Sequence, residues 1–212
     1  MKNYLLTFIL IILASVDLFS QNLKGKSITL QAITSVATKE YFIETFCYKN
    51  EIKIKFKLKD SVSMNKLRSD STFNVLSKSL LMVKQYDPKN DTLINLYKRV
   101  DSVIRTNTVY SVDSVKINYN QFPEYKKLLV KLFSSSQTDL ENKENNKNRF
   151  VLDGTTMDFK FFQDESIKFT AYSHSPNKLS HPLIYDYINS TMDIYRKIKK
   201  NSFLTKEKTS GY

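Results

Sequence analysis

Ile52-Lys53-Ile54-Lys55-Phe56-Lys57-Leu58-Lys59 alternates apolar and cationic residues without a break. Successive side chains of a strand point to opposite faces. Ile52, Ile54, Phe56 and Leu58 therefore share one face, and four lysines the other. This pattern belongs to a half-buried strand of an antiparallel sheet, and a row of lysines also discourages pairing at a sheet edge. Lys53, Lys55, Lys57 and Lys59 form a candidate face for an anionic partner. The competing reading of the same pattern is a solvated sheet face.

The flanking segments extend the sheet. Residues 27–36, with Ile28, Leu30 and Ala32 spaced by polar residues, and residues 41–48 read as strands, and Lys49-Asn50-Glu51 as the turn that follows. Downstream the period changes to that of a helix. Phe73, Leu76, Leu80 and Val83 follow Ser71-Thr72 as a capping pair, and Pro88 marks the end region. Asp91 can cap a second helix with Leu93, Leu96, Tyr97, Val100 and Ile104 on one face. Residues 109–119 alternate again. Pro123 then sits where a first helical turn tolerates it, ahead of Tyr125, Leu128, Leu129 and Leu132.

Residues 134–148 are polar and carry a single Leu, so a flexible loop is expected there. Asp153-Gly154 has the composition of a hairpin turn. Beyond it Met157, Phe159, Phe161, Ile167, Phe169 and Ala171 can share one face of a hairpin turned at residues 163–166. Ser180 and Pro182 open a last helix with Ile184, Tyr187, Ile188, Thr191, Tyr195 and Ile198 on its buried stripe, ending in Arg196, Lys197, Lys199 and Lys200. Strands in a run, then helices, then strands, then a helix predict an α+β fold. Its sheet is mostly antiparallel, of five to seven strands, with helices packed on one face. Residues 21–212 are expected to form one such domain.

The first twenty residues read as an address. Lys2 precedes the apolar run from Leu5 to Ala14, and a turn-prone stretch ends at Ser20, the order of a secretory signal peptide. The Phe19-Ser20-Gln21 junction resembles export signals of some Gram-negative bacteria. The run is about half the ~20 residues a bilayer span needs, and charges interrupt every later apolar stretch. A secreted or periplasmic protein without a transmembrane segment in its mature chain is therefore expected. The formal charge of +12 then points to an anionic envelope component, a polysaccharide or an acidic protein rather than to nucleic acid. Cys47 is the only cysteine, which excludes an internal disulfide. Its apolar setting predicts a buried, inert thiol, with intermolecular pairing as the alternative.

No catalytic motif emerges from the chain. Leu152-Asp153-Gly154-Thr155 resembles the start of haloacid-dehalogenase-type phosphatases, but Val151 stands where the nucleophilic Asp belongs. Six residues separate His174 from His181, which is no recognised metal-ligand spacing. A shared metal would need Asp164 or Asp186, and neither a metal nor a cofactor is expected. Ser173 or Ser175 beside His174 lacks the Gly-x-Ser-x-Gly context of a hydrolase. The three glycines lie too far apart for a phosphate loop.

One pattern exceeds its expectation. Asp-Ser/Thr followed by a small apolar residue, Leu or Thr occurs at Ser61, Ser71, Thr92, Ser102 and Ser114, where composition predicts about one such triplet. It resembles an O-glycosylation signal of exported bacterial proteins, and it also suits helix caps and turns. The expected function is a non-catalytic binding or envelope-associated protein. The alternatives are an envelope or polysaccharide hydrolase using carboxylates such as Asp153, Asp158, Asp164 and Glu165, and an immunity or inhibitor protein.

Overall fold

The computed structural model describes residues 23–35, 39–83, 90–209 and 212. The signal-like segment and Pro88 lie outside them. Six strands form one antiparallel sheet: β1 (Lys26–Thr34), β2 (Glu40–Cys47), β3 (Glu51–Val62), β4 (Thr108–Asn118), β5 (Thr155–Gln163) and β6 (Ser166–His174), in the order β4-β3-β2-β1-β5-β6. This is the α+β class that the period changes predict. β3 keeps its alternation, with Ile52, Ile54, Phe56 and Leu58 buried and the lysines between them half buried. It pairs on both sides, so its lysine row guards no edge; the edge strands are β4 and β6.

The described residues pack as two compact units: those within Leu58–Ser111, and those before and after that span. In the larger unit, helices α4 (Pro123–Ser134) and α7 (Pro182–Lys199) supply the apolar stripes that cover the sheet's Ile28, Leu30, Ile43, Phe159 and Phe161. Aromatic rings interlock at that interface. Tyr187 of α7 meets Phe159 at 6.2 Å between centroids, Tyr195 meets Phe56 at 4.8 Å, and Phe133 of α4 meets Phe161 at 5.8 Å. Each such side chain withdrawn from water stabilises the fold by roughly 1.5–3 kcal/mol. Two pairs of the hydroxyls carried inward bond each other, Tyr187 with Thr45 and Tyr125 with Thr191, each at 2.8 Å, while the Tyr41 hydroxyl is buried without a hydrogen-bond partner. Cys47 is buried among these groups, and burial pushes its thiol up to about 12.

The smaller unit holds the ends of β3 and β4 and the helices α1 (Met64–Ser69), α2 (Ser71–Leu81) and α3 (Asp91–Thr106). The caps fall one residue ahead of those expected: Asp70 accepts from Phe73 N at 3.0 Å, and Asn90 from Leu93 N at 3.1 Å. The shift places Ser71 and Asp91 inside the first turn, where an acidic residue favours the positive helix end. Of the α3 stripe only Leu93 is buried, and Tyr97 is exposed.

The β5–β6 hairpin turns at Asp164 and Glu165, whose φ of 47° and 68° match a two-residue turn with both centres left-handed. A register shift after Phe161 sets Ile167 opposite Phe162. Ile167 thereby leaves the face it was expected to share and is exposed. Phe169 stays on that face and stacks on Phe161 at 4.4 Å. Asp153-Gly154 is no hairpin turn. It lies in the loop before β5, where Gly154 donates to Ser35 Oγ at 3.0 Å and its carbonyl accepts from Ser35 N at 2.9 Å.

Candidate functional site: a cavity at the end of β6

Residues 134–148 carry two short helices where a loop was expected, α5 (Gln137–Glu141) and α6 (Lys143–Asn146). Ser136 and Asp139 cap α5 reciprocally: Asp139 N donates to Ser136 Oγ at 3.1 Å, and Ser136 N to Asp139 Oδ2 at 2.9 Å. The single Leu of the stretch, Leu140, is 1% exposed and anchors α5. Asn142, at φ 46°, ends α5 in the left-handed conformation that Asn tolerates.

Side chains from this segment cover the edge of β6. Glu141 Oε1 accepts from Tyr172 N at 3.1 Å and from Gln137 Nε2 at 2.8 Å, while Oε2 pairs with Lys143 Nζ at 2.8 Å. Arg149 spreads its guanidinium over two carbonyls, His174 O at 2.6 Å and Ser175 O at 2.5 Å. Asn142 and Asn146 donate to Ser180 O at 2.7 and 3.0 Å, joining the segment to the loop before α7. Backbone groups that an edge strand would otherwise leave open are thus satisfied by side chains.

A cavity of about 740 Å³ opens where these pieces meet. Ser173, Glu141 and His181, all buried, line it, as do Lys143, Lys147, Arg149, Phe150 and Tyr172. The Lys143 and Lys147 side chains are 73% and 69% exposed and mark its mouth. Three cations face one carboxylate, and that carboxylate is internally bonded. Partial burial works to raise the Glu141 carboxyl, but bonds from Lys143, Gln137 and the Tyr172 N–H outweigh it and hold it below its usual range. Burial, and then the neighbouring Arg149 charge, push the His181 imidazole down. His181 Nδ1 lies 3.0 Å from Ser180 Oγ, and His174 Nδ1 lies 3.4 Å from Thr156 Oγ1.

Both histidines thus reach one cavity, while Asp153, Asp158, Asp164, Glu165 and Asp186 do not line it. Among the described residues no cluster of three or more His, Cys, Asp or Glu is arranged to hold a metal. Ser173 Oγ is buried with no hydrogen-bond partner, so no imidazole stands poised to take its proton.

The lysine face of β3 is partly answered from within. Lys55 bonds Glu44 of β2 at 3.2 Å, and the Lys57 ammonium lies 5.1 Å from the Phe42 ring centroid. Lys53 and Lys59 lie half buried on the same face. Ser61, Ser71, Thr92 and Ser102 are exposed, whereas Ser114 is half buried on β4. Its neighbour Asp113 accepts from Tyr195 at 2.5 Å and from Lys199 at 3.0 Å.

Local pattern does not mark Glu141, Lys143, Lys147, Arg149 or Phe150 as a site, because they lie in or beside the polar stretch, and it offers Ser173 only as a nucleophile without its context. Ser136-Gln137-Thr138-Asp139 ahead of Leu140, a capping signature before a buried anchor, was the signal that this stretch folds. No known protein family, curated protein or solved structure matches this chain.

Proposed function

We propose that this is an exported, non-catalytic binding protein associated with the cell envelope, and that the cavity at the end of β6 receives its anionic ligand. One observation carries the reading: Lys143, Lys147 and Arg149 surround a cavity whose single lining carboxylate, Glu141, is already bonded. Lys143 pairs with Glu141 at 2.8 Å and Lys147 with Glu144 at 3.8 Å, so an anion entering there meets three cations against two carboxylates, on a chain whose formal charge of +12 favours the same approach. A hydrolase would need a second carboxylate or an activated nucleophile at the cavity. Asp153, Asp158, Asp164 and Glu165 lie elsewhere, and Ser173 Oγ is hydrogen-bonded to no base.

The charge and apolar order of the first twenty residues supports export. Export would also make Ser61, Ser71, Thr92 and Ser102 accessible to a glycosylating enzyme, with Ser114 less so. No helix among the described residues is long and apolar enough to cross a membrane. The basic charge would make association with the envelope electrostatic and reversible by salt. Cell fractionation tests this. The protein is expected in the envelope fraction at low salt, released by high salt, and retained more weakly when Lys143 and Lys147 are both replaced by Gln. Full solubility at low salt, or recovery from the cytoplasm, would defeat the proposal.

A further inference from the structure

The two ends of the cavity differ in chemistry, and the difference selects a ligand. The buried residues of the lining are polar. Ser173 is 1% exposed and its Oγ, a donor and acceptor at once, has no partner. His181 and Glu141, also buried, belong to the same lining. The mouth is cationic and aromatic, with the Lys143 and Lys147 ammoniums and Phe150, which is 82% exposed. An acyl chain entering with its carboxylate at the lysines would bury its apolar tail against unsatisfied polar atoms, the reverse of what it needs. A bare phosphate would use neither the aromatic ring nor the depth, and the volume lies within the range of sites that enclose a small organic ligand. Arg149 is committed to two backbone carbonyls, so the anion meets rotatable ammoniums rather than a planar fork.

Resting on the reading of the cavity as an anion site, we infer that its ligand is an acidic saccharide. The anionic group sits between Lys143 and Lys147, a ring hydroxyl bonds Ser173 Oγ, and a sugar face lies against Phe150.

Calorimetric titration of the whole protein tests this with three probes: trigalacturonate, its neutral methyl ester, and inorganic phosphate. Trigalacturonate is expected to bind and the ester to bind far more weakly. Ser173→Ala and Phe150→Ala should each weaken trigalacturonate binding about tenfold, as loss of a buried hydrogen bond or an aromatic contact does. Phe150 is exposed, so its variant keeps the fold, which an unchanged melting curve verifies. If trigalacturonate and phosphate bind alike and neither substitution matters, the saccharide assignment falls while the anion site stands. If the ester binds as well as the acid, or no probe binds, the anion site itself falls.

Discussion

Replacing Glu141 by Ala removes the carboxylate that ties α5 to the edge of β6. Two hydrogen bonds go with it, from Tyr172 N at 3.1 Å and Gln137 Nε2 at 2.8 Å, together with the Lys143 pair at 2.8 Å. A hydrogen bond to a charged group contributes about 1.5–3 kcal/mol, and the lower end applies where a cavity admits solvent. The Lys143 pair adds little, because that side chain is 73% exposed and regains water. The loss is therefore about 3 kcal/mol, which in a chain of this length lowers the melting temperature by roughly 6–12 °C. Glu141→Gln keeps an oxygen for both N–H groups and forfeits only the charge, so its loss is about half as large.

The loss of the carboxylate also shows in the pH dependence. The folded Glu141 carboxyl titrates below its unfolded value, so its contribution is complete above about pH 4.5 and fades as pH falls through the folded value. Both substitutions should flatten the acid limb of the stability curve. Thermal melts read by circular dichroism, with hydrogen exchange at the Tyr172 amide, supply the assay. A Glu141→Ala protein melting within about 2 °C of the parent, with Tyr172 still protected, would refute the argument that this carboxylate closes the edge.

Other consequences are as direct. Burial works to raise the Asp113 carboxyl, but bonds from Tyr195, Lys199 and the Ser114 N–H outweigh it and bring it to about 2; stability present above about pH 4 is lost as pH falls toward 2, and Tyr195→Phe should make that loss smaller and complete at higher pH in an acid titration followed by fluorescence. His181 acts in the same sense: held below its unfolded value, it withdraws stability as pH drops beneath about 6.5, and His181→Gln should remove that part of the profile. Gly154→Ala puts a Cβ at 1.9 Å from Ser175 Oγ and 3.0 Å from His174 Nε2, so Ser175 must rotate and give up its bond from Thr155 N or the loop must shift, at a cost of about 1–3 kcal/mol measurable by urea denaturation. Intact mass of protein recovered from an exporting host should exceed that of the bare residues from Gln21 onward if Ser61, Ser71, Thr92 or Ser102 is glycosylated; equality removes the modification. Cys47, buried and pushed up to about 12, should resist alkylation in the native protein and react once unfolded.

What the chain determined by itself was its local periods. The alternation from Ile52 to Lys59 specified a strand and its buried face, and the Ile and Tyr spacing of residues 182–199 specified the helix that covers it, because each face is set within a few residues. Which neighbours a strand takes is decided by contacts far apart in sequence. The pairing that places β3 inside the sheet, and β5 beside β1 rather than β4, carried no local sign. The register shift that turns Ile167 outward is likewise a property of two strands together.

The candidate site divides the same way. His174 and His181 were visible as a pair of rare residues flanking one loop, and both reach the cavity. The Asp153–Glu165 carboxylates, close in sequence, do not accompany them, since strand alternation and the hairpin carry them elsewhere. The cations, the exposed Phe150 and the unpartnered Ser173 become a site only because Leu140 and Glu141 fasten a polar segment across the β6 edge. Composition makes such a segment look unable to order itself. One buried leucine and one carboxylate on a waiting strand edge order it, and that edge exists only in the tertiary fold.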